Sequence, residues 1–209
     1  MSDISARSES SLKKSWEKLA WEFRGLKFLI RNLWYSRRLK DIPATTRGEL
    51  SIRGMNASEL PAVDQLQRQL RDGKGCNKWR RILYRIRGCR QVVVAVDGEQ
   101  EVIGFQMFYF RADESKQQVI HSAFTGVQPL HQGHGIGTLI RKEALRSFSR
   151  SGLSAVSMHI REENQHSMKS AMRVGYRPVD RCSGGRKKLM MIRFSDQSDA
   201  LINHPVSTK

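Results

Sequence analysis

The sequence predicts an α/β protein, with one mixed sheet and helices on both of its faces. Two observations indicate this class. Short segments rich in β-branched residues alternate with amphipathic helical segments from about residue 50 to residue 194. A glycine-rich stretch, Gln132 to Thr138, also joins the end of a β-rich segment to the start of a helix. In that order, loop amides at a helix N-terminus point at whatever the loop binds, together with the favourable end of the helix dipole.

The N-terminal segment is predicted to form one basic amphipathic helix. Between Ser11 and Leu39 the apolar residues recur at helical spacing, and they are Trp16, Leu19, Ala20, Phe23, Leu26, Ile30, Leu33 and Trp34. Residues 1–10 are Ser-rich and are expected to be disordered, and residues 41–48 are expected to be a linker. We therefore divide the chain into an extension with its linker at 1–45, a folded domain at 46–195 and a polar tail at 196–209.

Periodicity and turn signals predict the remaining elements. Asn56 or Ser58 is a candidate helix cap, and Asp97-Gly98 is a strong hairpin signal. The predicted elements, in chain order, are a strand at 50–53, helices around 60–70 and 79–86, strands at 91–96, 102–110 and 117–127, a helix at 139–149, a strand at 155–160, a helix at 164–174, and a hairpin of 177–180 and 188–194 across 183–185.

Composition limits the classes of partner and compartment. The net charge of +17 favours phosphate-bearing partners such as coenzyme A, RNA, a nucleotide-linked sugar or an anionic membrane face. No run approaches about 18 apolar residues, so no membrane-spanning helix is expected, and the N-terminus lacks the pattern of a signal peptide. The three cysteines have no metal-ligand spacing. They are expected to be thiols in a reducing cytoplasm, and no metal site is expected.

The glycine loop has three competing interpretations. A P-loop is excluded because no lysine follows Gly137. A dinucleotide fingerprint is disfavoured by the spacing Gly133-x-Gly135-x-Gly137 and by the hundred and more residues before it. A plain connecting turn is also disfavoured, because each glycine in a regular element costs about 0.5–1 kcal/mol relative to alanine. A diphosphate-bearing cofactor is the natural occupant of such a loop.

The loop and its surroundings resemble the GNAT N-acetyltransferase superfamily. Gln132-Gly-His-Gly-Ile-Gly137 fits the family's Arg/Gln-x-x-Gly-x-Gly/Ala loop for acetyl-CoA, and Val127-x-Pro129 is similar to the end of the family's fourth strand. Asn164-x-x-Ser167 and Gly175-Tyr176 fit the second signature. The resemblance covers about residues 50–194. It implies a central, mostly antiparallel sheet of about six to seven strands that is splayed open at the acetyl-CoA site.

The resemblance also implies the cofactor contacts. The loop contributes backbone amides around the pyrophosphate, from Gly133, His134, Gly135, Ile136, Gly137 and Thr138. Gln132, which begins the loop, is a further cofactor-binding residue. The backbone of Val127 lies against the pantetheine arm like an added strand, and its N–H is the candidate to polarise the thioester carbonyl. Asn164 matches the family's asparagine near the cofactor arm. No metal is implied.

The acid and base are less well defined. Strand alternation predicts His121, Ala123, Thr125 and Val127 on one face, and His121 stands where histone-acetylating members carry a glutamate. His121 is therefore the candidate base, with Glu162 and Glu163 as alternatives. Many members protonate the leaving thiolate with a tyrosine seven residues after the asparagine, but this position is Ala171. The proton donor is then Ser167, His166 or a water molecule, or the enzyme has no dedicated donor.

The N-terminal helix and the arginines of residues 80–90 bear on partners. A basic, Trp-containing helix at 11–40 is typical of one that lies in a membrane interface, and the alternatives are packing on the domain or on a second subunit of a homodimer. Arg80, Arg81, Arg85, Arg87 and Arg90 are candidates to contact an anionic acceptor, although a solvated basic face is the simpler interpretation.

Together these features favour an acetyl-CoA-dependent N-acyltransferase in the cytoplasm, peripheral at the inner membrane face. It would transfer acetyl directly, in a ternary complex, to a primary amine of an anionic acceptor, with an amino sugar of a nucleotide- or lipid-linked glycan favoured. One alternative is a toxin-type acetyltransferase of aminoacyl-tRNA, whose nucleic-acid binding would be strongly salt-dependent. Another is a non-catalytic CoA-binding adaptor for a membrane or a partner.

Overall fold

The computed structural model describes residues 2–182 and 188–194, and the side chains of residues 14–179. The helices are α1 (Ser2–Tyr35), α2 (Leu60–Gln69), α3 (Lys78–Gln91), α4 (Ile136–Ser149) and α5 (Gln165–Arg173). The strands are β1 (Thr45–Arg47), β2 (Leu50–Gly54), β3 (Val92–Val96), β4 (Val102–Tyr109), β5 (Val119–Val127), β6 (Ala155–Arg161), β7 (Arg177–Cys182) and β8 (Lys188–Phe194). Within the described chain, no helix has the length and apolarity that a membrane span needs.

The strands form one mixed sheet in the order β1-β2-β3-β4-β5-β6-β8-β7. Only the β5–β6 pair is parallel among these neighbours, and the other pairs are antiparallel. The predicted mixed, mostly antiparallel sheet is therefore confirmed. The described residues contain eight strands instead of six to seven, partly because Thr45–Arg47 pairs with Leu50–Ile52 inside the segment expected to be a linker.

Two hydrophobic cores lie on opposite faces of the sheet. On one face α4 and α5 pack through residues such as Ile140, Phe148 and Ala171. On the other face α2 and α3 pack through Leu66 and Leu83. Helices on both faces are as predicted.

A β-bulge in β5 changes which residues share a face. Met107 pairs with Phe124, but the next residue, Phe108, pairs with Ser122, so Ala123 is an extra residue in β5. An extra residue reverses the alternation of side chains beyond it. The prediction that His121 and Val127 lie on one face is therefore wrong.

The register of the parallel pair ends in the middle of β5. It runs from Val119 opposite Ala155 to Ser122 opposite Met158, whereas β5 continues to Val127 and β6 to Arg161. The two strands therefore separate after Ser122, and the cleft of the candidate site opens between them. We call this point the fork.

Helix α1 docks on the domain with a face that the apolar pattern does not predict. Asn32 is buried, its Oδ1 accepts a 2.6 Å hydrogen bond from the Phe110 N–H, and its Nδ2 donates to the Phe28 and Phe110 carbonyls. Gly25 lies so close to Trp79 of α3 that a Cβ there would overlap the indole. The predicted apolar stripe does not make this contact, and most of it stays exposed. The helix also begins at Ser2, within the segment 1–10 expected to be disordered.

The segment after α1 and the strands β7 and β8 form the two ends of the domain. The segment after α1 is held to the domain, because Leu39 and Ile42 are buried and Ile42 N–H donates to the Cys89 carbonyl at 2.9 Å. Strands β7 and β8 pair as the predicted hairpin. Its turn at 183–185 and the tail at 196–209 lie outside the described residues.

Candidate active site

The glycine loop leaves its backbone open to a ligand. Gly133 and Gly135 have φ angles of 84° and 79°, which favour glycine, and a Cβ built on either would meet nothing within 4 Å. The Thr138 and Leu139 N–H groups both donate to the Gly135 carbonyl, at 2.9 and 3.1 Å. The amides before them lie at the start of α4, where helix geometry supplies no carbonyl partner. The loop is thus built to bind an anion.

Val127 presents its backbone to the open side of β5. The Gln128 N–H donates to Ile103 of the neighbouring β4 at 2.8 Å. Consecutive peptide groups of a strand point to opposite edges, so the Val127 N–H points away from β4 and toward the separated β6. The Val127 carbonyl points to the same edge, and there it accepts a 3.0 Å hydrogen bond from Gln132 Nε2. Gln132 therefore ties the loop to the strand end.

The loop, the end of β5 and the start of α5 surround one cleft of about 450 Å³. The cleft brings together most of the predicted cofactor residues: Val127, Gln132, Gly133, Gly135, Ile136, Gly137, Thr138 and Asn164. Ser167, the predicted proton donor, also lines it. His134, which was predicted with them, is in the same loop and exposed but does not line the cleft. Leu70 and Phe124 close the cleft on the α2 side.

The predicted residues of α5 have defined local partners. Asn164 is the N-cap of α5, and its Oδ1 accepts from the Ser167 N–H at 3.0 Å. This bond leaves the amide nitrogen of Asn164 available to the cleft. Ser167 Oγ accepts a 2.9 Å hydrogen bond from Arg141 Nη2, so its own hydroxyl proton can be donated elsewhere.

Arg141 is a buried arginine in this cleft that the sequence interpretation missed. Only 5% of the residue is exposed, and its Nη1 donates to Ser170 Oγ at 2.7 Å. No partner in the described chain accepts from its Nε, and no carboxylate of residues 14–179 pairs with it. Burial lowers the pKa of the guanidinium. Its presence in a helical segment gave no signal, because an arginine there usually belongs to a solvated face.

His121 is not in this cleft but belongs to a polar cluster on the other face of β5, beside the fork. His121 is 5% exposed, and its Nδ1 lies 2.8 Å from Ser157 Oγ of β6. Ser157 Oγ donates to Glu114 Oε2 at 2.8 Å. The rings of His121 and His159 are 5.0 Å apart, and Arg111 Nη1 lies 3.3 Å from His159 Nδ1. Glu114, Ser157 and His159 had no motif that marked them in the sequence.

The cluster fixes the proton positions on His121. An ionised Glu114 can only accept, so Ser157 donates to it and accepts from His121 Nδ1–H. Neutral His121 therefore keeps an unprotonated Nε2. Burial, with the charges of His159 and Arg111, lowers the pKa of His121 from 6.5 to about 3. Burial also raises the pKa of Glu114.

Two half-buried arginines stand near the cleft and the cluster. The Arg71 guanidinium lies 5.2 Å from the Phe124 ring centroid, and that of Arg80 lies 5.0 Å from Tyr109. Neither pairs with a carboxylate among residues 14–179. Four other arginines were predicted to contact an acceptor. Arg81 pairs with Asp64 and Arg90 with Asp41, whereas Arg85 is exposed and Arg87 is half-buried. No group of three His, Cys, Asp or Glu side chains in the described residues could hold a metal ion.

A strand-end backbone, a glycine loop and a helix N-terminus around one cleft define a CoA-dependent acyltransferase fold. The family model described as "Acetyltransferase (GNAT) family" matches residues 60–176, more than half of the chain. The chain therefore belongs to the GNAT acetyltransferase family, and it is an N-acetyltransferase whose co-substrate is acetyl-CoA. A comparison with curated proteins finds no relative.

Solved structures with the same fold share little sequence with the chain. The yncA protein of Salmonella typhimurium, solved with acetyl-CoA, has a TM-score of 0.61 at 17% identity, covering 73% of this chain and 97% of its own. Arabidopsis thaliana NAA60 with acetyl-CoA has a TM-score of 0.61 at 19% identity, covering 69% and 99%. The ribosomal-protein-S5-alanine acetyltransferase of Vibrio fischeri has a TM-score of 0.60 at 12% identity, covering 74% and 97%.

Proposed function

We propose that this acetyltransferase acts on a primary amine of an anionic acceptor, with the amino sugar of a nucleotide- or lipid-linked glycan as the favoured class. The observation that carries the proposal is the pair Arg71 and Arg80, two half-buried cations without carboxylate partners in the described chain, one of which lies on Phe124 of the cleft. An unpaired guanidinium recognises phosphate or carboxylate well. We place the enzyme in the cytoplasm, peripherally at the inner membrane face.

Acetyl-CoA supplies the activated acetyl group. The amides from Gly133 to Gly137 hold its pyrophosphate at the start of α4, with His134 and Ile136 contributing backbone only. The Thr138 amide is not among them, because it already donates to the Gly135 carbonyl. Arg141 faces the same cleft, and a buried cation without a carboxylate is stabilised by an anion. We assign Arg141 to the cofactor phosphates. The Val127 N–H, on the open edge of β5, polarises the acetyl carbonyl.

Transfer forms a bond from the amine nitrogen to the acetyl carbon as the carbon–sulfur bond breaks. The nitrogen loses one proton, and His121 Nε2 takes it through water. Because its pKa is low, His121 is a positioned, temporary acceptor that passes the proton on, and Glu114 stabilises the charge through Ser157. Ser167, held by Arg141, donates a proton to the sulfur in the place of the missing tyrosine at Ala171. Ser167 regains a proton from water, and the proton that His121 passes to water balances this loss.

The test is a thiol-release assay with acetyl-CoA and three amines: a nucleotide-linked amino sugar, the same sugar unlinked, and spermidine. Spermidine is included because structural neighbours include a spermidine N-acetyltransferase of Vibrio cholerae. We expect kcat/KM for the linked sugar to exceed that of the free sugar by roughly tenfold or more, as one charge-assisted bond supplies. The Arg71→Gln, Arg80→Gln double variant should lose this preference.

Three results would count against the proposal. Equal rates on the linked and free sugars, or a preference for spermidine, would exclude an anionic acceptor. Transfer to aminoacyl-tRNA alone would favour the toxin-type alternative. Binding of acetyl-CoA without transfer to any acceptor would favour the non-catalytic adaptor.

A further inference from the structure

Helix α1 carries an exposed apolar stripe outside the face that docks on the domain. The stripe consists of Trp16, Leu19, Phe23, Leu26, Ile30 and Trp34, which are 69%, 61%, 57%, 42%, 59% and 60% exposed. At 3.6 residues per turn these positions fall within a sector of about 80°, and they extend over about 27 Å of helix. So long an apolar surface on one helix face marks an interaction site.

The stripe and the docking contact use different faces of the helix. Leu29, Asn32 and Ser36 are buried against the domain, and none of them belongs to the stripe. Trp79 of α3 borders the stripe and forms an apolar groove with Trp16 and Phe23. The domain therefore fixes α1 in place and leaves the stripe uncovered.

Basic side chains surround the stripe. The Lys27 ammonium lies 4.4 Å from the Phe23 ring centroid, and the Arg37 guanidinium lies 4.0 Å from that of Trp34. Residues 14–40 contain eight Lys or Arg and two Glu. Apolar and aromatic residues flanked by cations are the composition of helices that lie in the interface of an anionic bilayer.

We infer that the stripe inserts into the interface of an anionic phospholipid membrane, with the cations of residues 14–40 on its headgroups. Charge complementarity selects this occupant. A second copy on the same stripe would bring two such basic surfaces together, and like charges oppose that contact. Tryptophan, present at both ends of the stripe, is favoured at the headgroup level. The inference rests on the proposed location at the inner membrane face and names the surface that makes the contact.

The test is sedimentation of the full chain with vesicles of phosphatidylcholine and phosphatidylglycerol, and with vesicles of phosphatidylcholine alone. We expect affinity for the anionic vesicles to be roughly tenfold higher or more, and to fall with salt. The Leu19→Glu, Ile30→Glu double variant should lose at least about tenfold in binding. The matched control, Met172→Glu with Val179→Glu, changes two exposed apolar residues elsewhere, 54% and 48% exposed, and should bind like the wild type.

Equal binding of the stripe variant and the control would overturn the inference, as would absence of binding to anionic vesicles. Light scattering without lipid is the second readout. A dimer that the stripe variant converts to monomer would assign the stripe to a second copy and overturn it as well. Transfer to a water-soluble amine is measured in parallel, and the stripe variant should retain it. If the wild type bound the anionic vesicles but transferred acetyl to no acceptor, the proposed function would be contradicted and this inference would still hold.

Discussion

Arg141 occupies a position where a charged side chain is costly. A buried cation loses its hydration, and two serine hydroxyls replace only part of it. The energetic balance improves if an anion lies in the cleft, and coenzyme A is an anion. The same guanidinium also bonds Ser167, the proposed proton donor, so one side chain links cofactor binding to the proton that leaves with the thiol.

The Arg141→Leu substitution tests this assignment with two acetyl donors. The KM for acetyl-CoA should rise about 10- to 100-fold, because one charge-assisted bond to a phosphate is lost. The KM for S-acetylpantetheine, which has no phosphate, should change little. Arg146→Leu, on the same helix with a side chain 54% exposed, is the matched control. A fall in kcat that is equal for both donors would instead assign Arg141 to the thiol end of the reaction.

The pH dependence of the rate tests His121. A histidine with a pKa of about 3 is neutral across the physiological range, so log(kcat/KM) should show no inflection near pH 6.5. The rate should instead rise with pH as the ammonium group of the acceptor loses its proton. Two acceptors whose amines differ in pKa should therefore give pH–rate curves that are displaced along the pH axis by that difference.

The His121→Gln substitution should lower kcat by roughly 100-fold, the usual contribution of a positioned base. Glutamine keeps a polar contact for Ser157, so the KM for acetyl-CoA should be unchanged. If log(kcat/KM) rose at pH 6–7 equally for both amines, and this rise disappeared in the variant, His121 would titrate in its ordinary range.

At the scale of the elements, nearly every helix and strand could be predicted from the sequence, but two placements could not. The bulge at Ala123 depends on pairing with β4, and pairing is not visible in the period of one strand. The docking face of α1 was not predicted, because its central contact is made by a polar residue, Asn32. This side chain stabilises the contact through its hydrogen bonds to the Phe110 backbone. Gly25 also gave no signal in the sequence, because its role is to leave space for the Trp79 side chain.

Gly25→Leu tests the docking of α1 on α3. A side chain there would overlap Trp79, and overpacking of this kind typically costs about 1–3 kcal/mol. We expect a lower Tm and faster amide hydrogen exchange in residues 25–35. Ala20→Leu adds the same side chain at an exposed position of the same helix and should leave both measurements near the wild type. Unchanged exchange in Gly25→Leu would mean that α1 does not dock through this contact.

At the scale of the whole molecule, the fold class and the cofactor loop followed from sequence because both are local. A strand, a glycine loop and a helix are contiguous, and their order alone predicts an anion site. The polar cluster is not local, since Glu114, His121 and Ser157 come from three separate segments that the sheet brings together. The effect of this cluster on the free energy of unfolding likewise depends on the whole fold.

Acid should destabilise the protein through His121 well before the carboxylates titrate. In the unfolded chain this histidine binds a proton near pH 6.5, whereas in the folded chain Glu114, Arg111, Asp113, Arg80 and His159 surround it and its pKa is about 3. The unfolded state therefore binds more protons between these values, and the unfolding free energy falls as the pH falls. The loss from this one group should be about 2 kcal/mol between pH 7 and pH 5.

Urea unfolding at a series of pH values measures this loss, with His121→Gln as the comparison. The variant cannot take up the proton in either state, so its stability should fall about 2 kcal/mol less than that of the wild type over the same interval. Parallel curves for the two proteins would mean that His121 is as accessible to protons in the folded chain as in the unfolded one. Such access would require the Glu114–Ser157–His121 cluster to be open to water, and it would make His121 a titrating base in place of the buried, temporary acceptor proposed above.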